Sequence, residues 1–318
     1  MRGLFTDLLA ALLAVSGLMS PAVMAGDDIQ CDPVEMAKLV MPDGDYSLAI
    51  FETTAVIGVP QRNIAYISEQ QANGDWLLSE NLNGSYFNFG QAVDISGTTV
   101  LVGASGSVYV FKKQQDGDWL MTATLTASDS GHSFGCSVAL SGTTALIGAY
   151  KDDGTGDDSG SAYVFEQQDD ETWLEIAKLT ASDADHWERF GCSVDISGNI
   201  ALVGAYRGNG NGIDSGSAYI FEQQEDGTWL ETTKLTASDG EVNDNFAWSV
   251  AISGTTILIG AFSADNNDGV NTGSSYIFER QEDDTWLESA KILAPDGEAY
   301  DYFAWSVDIS DTIALIGS

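Results

Sequence analysis

Residues 190–206 read FGCSVDISGNIALVGAY, and this stretch decides the fold. In its first half the larger residues Phe190, Val194 and Ile196 alternate with small or polar ones, which is the period of two expected of a β-strand. A Ser-Gly turn signal follows, and a second apolar run comes directly after it. The stretch therefore predicts a β-hairpin.

The same stretch returns along the chain. Phenylalanine recurs at intervals of 45, 56, 56 and 57 residues, at Phe89, Phe134, Phe190, Phe246 and Phe303, and tryptophan follows a parallel series at Trp76, Trp119, Trp173, Trp229 and Trp286. Each unit adds two more short runs rich in Val, Ile, Tyr, Phe and Thr. Four antiparallel strands per unit are typical of a propeller blade, whereas a solenoid has fewer, parallel strands per turn. The sequence therefore predicts an all-β fold, a β-propeller of four-stranded antiparallel blades.

The repeat divides most of the chain into five complete units and a partial sixth. The predicted units are residues 45–88, 89–133, 134–189, 190–245 and 246–302, followed by the partial unit 303–318. Residues 31–44 resemble the end of a unit, and we predict that they form the outer strand of the closing blade, which would remove an unpaired edge. Because the sixth unit stops after two predicted strands, we hypothesise that the sequence is truncated from a larger ring.

Two dipeptides carry a resemblance to a known family. Phe-Gly opens the units at residues 89–90, 134–135 and 190–191, and Gly-Ala ends the second strand at residues 103–104, 148–149, 204–205 and 260–261. This pattern resembles the FG-GAP repeat, the unit of integrin α-chain propellers. Integrin members bind calcium between the first and second strands, but here that loop is short and poor in carboxylates. We do not expect that calcium site in this chain.

The N-terminus has the pattern of a secretory signal. Arg2 precedes an apolar run from Leu8 to Leu18, and small residues lead to Ala25. We predict a signal peptide at residues 1–25 and a mature propeller at residues 26–318 that is secreted or held at the cell surface. The apolar run is too short to span a bilayer comfortably, so no membrane insertion is expected after cleavage.

The charge of the chain narrows the choice of partner. Its 318 residues include 48 acidic and 12 basic side chains, which gives a formal charge of −36. Nucleic-acid binding depends on Lys and Arg that neutralise phosphates, so we expect no nucleic-acid partner. The expected partner is an extracellular protein or a glycan.

Acidic residues recur at matching offsets in the loops that enter three of the units. The candidate calcium ligands are Asp183, Asp185, Glu188, Asp239, Glu241, Asp244, Asp296, Glu298 and Asp301. Calcium takes about six to eight oxygen ligands, which flexible acidic loops can supply. The alternative is a solvated loop whose Asp side chains accept hydrogen bonds from nearby backbone N–H groups. Both hypotheses remain open at this point.

Acids also occur inside the predicted first strands, at Asp94, Asp195 and Asp308. A buried carboxylate must find hydrogen bonds or a cation, and we expect neighbouring backbone to supply the hydrogen bonds. Cys136 and Cys192 share one slot, directly after Phe-Gly, and we expect them to be buried free thiols.

The sequence offers no converging nucleophile, base and acid. Its Gly-x-Ser-x-Gly motif at residues 131–135 leads into a strand, whereas a nucleophile elbow needs a helix. The sequence therefore favours a secreted, non-catalytic propeller for adhesion or for ligand and protein recognition, with calcium as a stabiliser. The alternative is a carbohydrate-active propeller, either a lectin or a glycosidase. Five aromatic residues beside polar loops are candidates for partner contacts, with internal packing the favoured interpretation for the first three: Tyr150, Tyr206, Phe262, Trp187 and Tyr300.

Overall fold

The computed structural model describes residues 47–84, 86–129, 131–265, 269–310 and 313–318. The predicted signal peptide at residues 1–25 and the predicted outer strand at residues 31–44 lie outside the described residues. Within the described residues the chain is β-structure apart from one short 3-10 turn at Pro60–Arg62. The all-β prediction is confirmed.

The strands group into five four-stranded blades and a final hairpin. Blade 1 contains β1 (Ser47–Phe51), β2 (Thr54–Val59), β3 (Ile64–Gln70) and β4 (Trp76–Asn83). Blade 2 contains β5 (Ala92–Ser96), β6 (Thr99–Ala104), β7 (Ser107–Lys113) and β8 (Trp119–Leu125). Blade 3 contains β9 (Ser137–Ser141), β10 (Thr144–Ala149), β11 (Ser161–Gln167) and β12 (Trp173–Leu179).

The remaining strands continue the same order. Blade 4 contains β13 (Val194–Ser197), β14 (Ile200–Ala205), β15 (Ser217–Gln223) and β16 (Trp229–Leu235). Blade 5 contains β17 (Ser249–Ser253), β18 (Thr256–Ala261), β19 (Ser274–Arg280) and β20 (Trp286–Ile292). The hairpin contains β21 (Ser306–Ser310) and β22 (Ile313–Gly317). Strands pair antiparallel in sequence order within each blade, so the predicted five complete units plus a partial sixth are confirmed.

The first strand of each blade is its innermost strand. Each first strand contacts the first strand of the next blade, in the order β1, β5, β9, β13, β17 and β21. The hydrophobic core lies between successive sheets, and one cluster combines Leu202 and Ile220 of blade 4 with Phe246, Ile257 and Tyr276 of blade 5 or its entry. Both faces of an inner blade are therefore covered by neighbours, which explains why β10, β14 and β18 are almost continuously apolar.

The two marker dipeptides meet between neighbouring blades. A Cβ added to Gly148, at the end of β10, would overlap the carbonyl oxygen of Gly191 in the next blade's Phe-Gly pair. Gly191 itself has φ +83° and its N–H donates to the Gly204 carbonyl oxygen at 2.9 Å. Phe190 is fully buried against Tyr219. The marker residues are therefore points of close approach between blades.

The acids inside the first strands follow an alternating pattern. Asp94, Asp195 and Asp308 stand in blade 2, blade 4 and the final hairpin, whereas Ala49, Ala139 and Ala251 fill the equivalent positions of the odd-numbered blades. The Asp195 carboxylate accepts hydrogen bonds from the N–H of Ile196 at 2.8 Å and from that of Ile252, in the next blade, at 2.6 Å. Asp94 bonds Ile95 and Leu140 in the same way. The expectation that backbone satisfies these acids is confirmed for Asp94 and Asp195.

Burial gives these inner acids an unusual titration. Desolvation raises the pKa of Asp195 to about 8 and that of Asp94 to about 7, against the hydrogen bonds from backbone N–H groups, which lower both values. The charges of Asp94 and Asp308, which stand at the equivalent positions of other first strands, raise the pKa of Asp195 further. A folded-state pKa above the unfolded value means that the native state holds extra protons between about pH 4 and pH 8.

We therefore expect Asp195→Asn to flatten the dependence of stability on pH. In wild type, protonated Asp195 contributes to stability, and that contribution is lost as the pH rises toward 8. Asparagine does not titrate, so the variant does not lose stability at this position over that range. The variant should gain about 4 kcal/mol relative to wild type between pH 5 and pH 8.5, because about three pH units below the raised pKa count at about 1.36 kcal/mol each. Thermal unfolding across that range is the measurement, with Asp116→Asn in an exposed turn as control. A difference between variant and wild type that does not change with pH would contradict the assignment.

Candidate functional site

The loops that join one blade to the next, here named crossing loops, hold the predicted calcium ligands. Asp183 accepts hydrogen bonds from the Tyr219 hydroxyl at 2.9 Å and from Lys234 Nζ at 2.6 Å. Asp239 in the next loop is bound in the same way by Tyr276 and Lys291. Desolvation raises the pKa of each aspartate, but the bonds from lysine and tyrosine outweigh it and hold each pKa below its usual value.

This arrangement repeats and forms an inter-blade clasp. In each of three crossing loops an Ala-Ser-Asp sequence supplies the aspartate, and the serine N–H and hydroxyl bind a glutamate on the outer strand of the following blade. The aspartates are Asp129, Asp183 and Asp239. Sequence reasoning missed Asp129, although the repeated Ala-Ser-Asp together with a lysine near the end of each outer strand was a usable signal.

The third acid of two predicted sets is buried. Glu188 is 3% exposed, and its Oε2 has no hydrogen-bond partner among the described residues, whereas Asp244 is 5% exposed and accepts a hydrogen bond from the Glu241 N–H at 2.7 Å. Desolvation raises the pKa of Glu188 and takes that of Asp244 to about 6. These two side chains lie under the crossing loops, away from solvent.

The remaining candidates lie at the loop surface. Asp185 accepts a hydrogen bond from the His186 N–H, and Asp301 accepts one from the Glu298 N–H at 2.6 Å. Asp296 is exposed and makes no ion pair or side-chain hydrogen bond to a described residue. No group of three or more His, Cys, Asp or Glu residues that could hold a metal ion occurs within the described part of the chain. Calcium at Asp183 or Asp239 would have to displace a lysine, and calcium binding stays a prediction.

A second candidate site lies at the entrance to the inner strands. The residue after each Phe-Gly or Phe-Ala pair lies just before the first strand, and the residue after each Gly-Ala pair lies just after the second strand. The two positions are neighbours because the register pairs Ser137 with Gly148 and Ser249 with Gly260. Their side chains therefore share one rim. We name this surface the axial mouth and define it by Cys136, Tyr150, Cys192, Tyr206, Trp248, Phe262 and Trp305.

The axial mouth is a continuous aromatic surface with a cavity. Trp248 lies 5.0 Å from Tyr206, 4.8 Å from Phe262 and 5.0 Å from Trp305 between ring centroids, mostly edge to face. A cavity of about 210 Å³ opens among Cys136, Tyr150, Cys192, Tyr206 and Trp248. Trp305 is 49% exposed, and the other rings are half-buried. Solvent reaches this surface although it is apolar.

The two cysteines of the mouth are free, as expected, but only half-buried because they line the cavity. Desolvation raises the pKa of Cys136 to about 11 and that of Cys192 to about 12. Both side chains remain thiols at neutral pH, and the Cys136 thiol donates to the Gly191 carbonyl oxygen at 3.4 Å. Their sulfur atoms contribute polarisable groups to the cavity wall. As protonated thiols they are poor nucleophiles at neutral pH.

The aromatic residues of the mouth pack against one another and also face solvent. Tyr206 and Phe262 pack against Trp248, as expected, and Tyr150 and Tyr206 also line the cavity. Trp187 and Tyr300 are exposed on crossing loops, at 51% and 61%. No helix among the described residues is long and apolar enough to cross a membrane.

The comparisons with known proteins bear on the repeat and on the fold. The model of the FG-GAP repeat family matches residues 119–165, 173–221, 229–278 and 286–318, more than half of the chain. Each match begins at the outer strand of one blade and continues into the following blade, across a crossing loop. No curated protein sequence matches this chain.

Two solved structures share the fold at low sequence identity. A protein from Lactobacillus plantarum is 14% identical with a TM-score of 0.59, and the match covers 82% of this chain and 75% of that one. A functionally unknown protein from Desulfotomaculum acetoxidans is 13% identical with a TM-score of 0.56, covering 81% and 74%. With four consecutive repeats matched and the Phe-Gly and Gly-Ala contacts seen between blades, this chain belongs to the FG-GAP repeat family.

Proposed function

We propose that the protein is a secreted, non-catalytic propeller that recognises an extracellular ligand at its axial mouth. Membership of a family of binding propellers supports recognition, and the signal sequence predicted at residues 1–25 supports secretion. The thiols, held in their protonated form, favour binding over nucleophilic catalysis. Adhesion to a cell surface or an extracellular matrix is the role that these features support.

One observation carries the proposal, namely the solvent-reachable aromatic surface around Trp248. Large aromatic side chains supply much of the binding energy at recognition sites, because they bury a large area with few rotatable bonds. Here three successive blades contribute one aromatic residue each to a single cavity, so the surface depends on the packing of neighbouring blades and not on any one unit. Internal packing between sheets is already provided by the buried phenylalanine series.

We expect Trp248→Ala and Trp305→Ala to weaken ligand binding at least tenfold. Each substitution removes a ring from the mouth, and hot-spot truncations cost about 2 kcal/mol or more. Wild type and variants would be applied to an array of extracellular matrix proteins and glycans, with circular dichroism to confirm folding. The control is Leu230→Ala, half-exposed on outer strand β16 away from the mouth. Equal binding by the folded tryptophan variants and wild type would contradict the proposal.

Calcium stabilisation is a separate part of the proposal, and Asp296 and Asp301 are its best-placed residues. At Asp183 and Asp239 a lysine already provides the positive charge, whereas Asp296 has no such partner among the described residues. We expect a higher unfolding temperature with calcium chloride than with chelator, and no such difference in the variant Asp296→Asn/Asp301→Asn. Magnesium chloride serves as the ionic-strength control. Identical unfolding temperatures with calcium and chelator would exclude calcium.

A further inference from the structure

Two basic side chains at the axial mouth lack the acidic partners that most others have. Most basic side chains of the described residues form ion pairs with carboxylates, namely Lys112, Lys113, Lys178, Arg189, Lys234, Arg280 and Lys291. Lys151 and Arg207 form none with any described carboxylate, in a chain of net charge −36. Both side chains are exposed and accessible to an anion from solution, as is Arg62, which also has no partner among the described carboxylates but lies between β2 and β3 of blade 1.

Both side chains lie over tyrosines of the mouth. Lys151 Nζ is 5.4 Å from the centroid of the Tyr150 ring, and the Arg207 guanidinium is 5.7 Å from that of Tyr206. They occupy the same position in successive blades, directly after the mouth tyrosine. The corresponding residue in blade 5 is Ser263, so the positive charge is confined to the side of the mouth that holds the cavity.

A third cation adjoins them. The Arg189 guanidinium lies 5.4 Å from the Tyr150 ring centroid and 5.7 Å from that of Trp187, and its Nη1 is 3.0 Å from Asp158 Oδ2. Its Nε is buried without a hydrogen-bond partner among the described residues. Desolvation raises the pKa of Tyr206, and the charges of Arg207 and Arg189 oppose that rise. The cavity is therefore aromatic on its walls, and these three cations lie against the tyrosines that line it.

This combination limits the chemistry of the occupant. A protein of charge −36 repels anions over most of its surface, so the two cations without acidic partners, Lys151 and Arg207, favour an anionic group there. The aromatic walls favour a flat or ring-shaped apolar face beside that anion. The cavity of about 210 Å³ is smaller than a drug-sized pocket and suits a single ring.

We propose that the axial mouth binds an acidic saccharide. One pyranose ring packs its C–H face against Tyr206 and Trp248, and its carboxylate pairs with Arg207 and Lys151. This inference rests on the proposed function, since it names the ligand class of the same site. A hexuronate supplies both features in one residue, an apolar ring face and a carboxylate attached to it. A neutral saccharide would leave the two cations without a partner in the complex as well.

Isothermal titration with a short oligogalacturonate and with its methyl ester tests the inference. The ester keeps the sugar ring and removes the charge, so we expect the acid to bind at least tenfold more tightly, with affinity falling as sodium chloride is added. The double variant Lys151→Ala/Arg207→Ala should lose this preference. The control is Lys112→Ala, which removes a cation near the outer part of blade 2.

The outcomes separate the inference from the proposed function. Equal binding of acid and ester, no binding of either, or a preference unchanged in the double variant would overturn the acidic-saccharide assignment. Those results would leave the mouth as a recognition site if an array ligand still depends on Trp248. Loss of that dependence on Trp248 would instead overturn the proposed function itself. A preference for sulfated over carboxylated saccharides would also contradict the assignment of the carboxylate as the recognised group.

Discussion

Gly148→Ala is expected to lower the free energy of unfolding by about 3 kcal/mol. The added methyl group would overlap the backbone carbonyl of Gly191 in the next blade and the hydroxyl oxygen of Ser137. A side chain can rotate out of the way, but the Gly191 carbonyl belongs to a backbone segment fixed by its own hydrogen bond to Gly204. The two blades must therefore separate, which also loosens the apolar contacts between them.

Urea denaturation followed by circular dichroism measures this effect. The matched control is Gly142→Asn, in the Ser-Gly turn of the same blade, where φ is +58° and no atom lies within 4 Å of an added Cβ. Asparagine tolerates this left-handed conformation, so the control should change stability by less than about 1 kcal/mol. A Gly148→Ala variant as stable as wild type would show that the blades do not approach each other at this residue.

Phe190→Ala is expected to cost about 4 kcal/mol. Phe190 is fully buried, with ring centroids 5.5 Å from Tyr219 and 6.0 Å from Phe221, and its backbone N–H donates to the Ser159 carbonyl oxygen of the preceding blade. Truncation leaves a cavity between the sheets of blades 3 and 4, where the Phe190 ring packs edge to face against Tyr219 and Phe221. Backbone hydrogen bonds on both sides prevent those sheets from collapsing onto the space.

The matched control for this substitution is Phe87→Ala, because Phe87 is 74% exposed. We expect the control to change the free energy of unfolding by less than about 0.5 kcal/mol. Should both phenylalanine variants lose similar stability, the phenylalanine series would not mark the contacts between blades, and its recurrence would need another explanation.

The blade architecture could be predicted because its determinants are local and repeated. Val194 and Ile196 lie on one side of strand β13, and a two-residue turn returns the chain, so short-range periodicity carries the information. Repetition of the pattern in each unit then separated a propeller from other β folds. The reason for glycine at position 148 was not apparent from the sequence. An alanine Cβ there would overlap the carbonyl oxygen of Gly191, which belongs to the next blade and is distant in sequence.

The candidate sites were harder to predict because their members are far apart in sequence. Lys234, which donates a hydrogen bond to Asp183, lies 51 residues later in the chain. Because the sequence does not show that pairing, the charge of Asp183 suggested a calcium ligand. Trp248 and Trp305 come together because each ends a loop at the same rim of its own blade, a consequence of strand register. The sequence shows that Trp248 and Trp305 are aromatic at the position directly after the Phe-Ala pair. It does not show that Trp248 lines a cavity with residues of other blades.

Hydrogen–deuterium exchange of the propeller, with and without a ligand retained from the array, tests most directly whether the axial mouth is the recognition surface. We expect slower exchange on ligand binding in the peptides that contain Tyr150, Tyr206, Trp248 and Phe262, with outer strands β12, β16 and β20 unchanged. Protection confined to the outer strands or to the hairpins at the opposite rim would contradict this account.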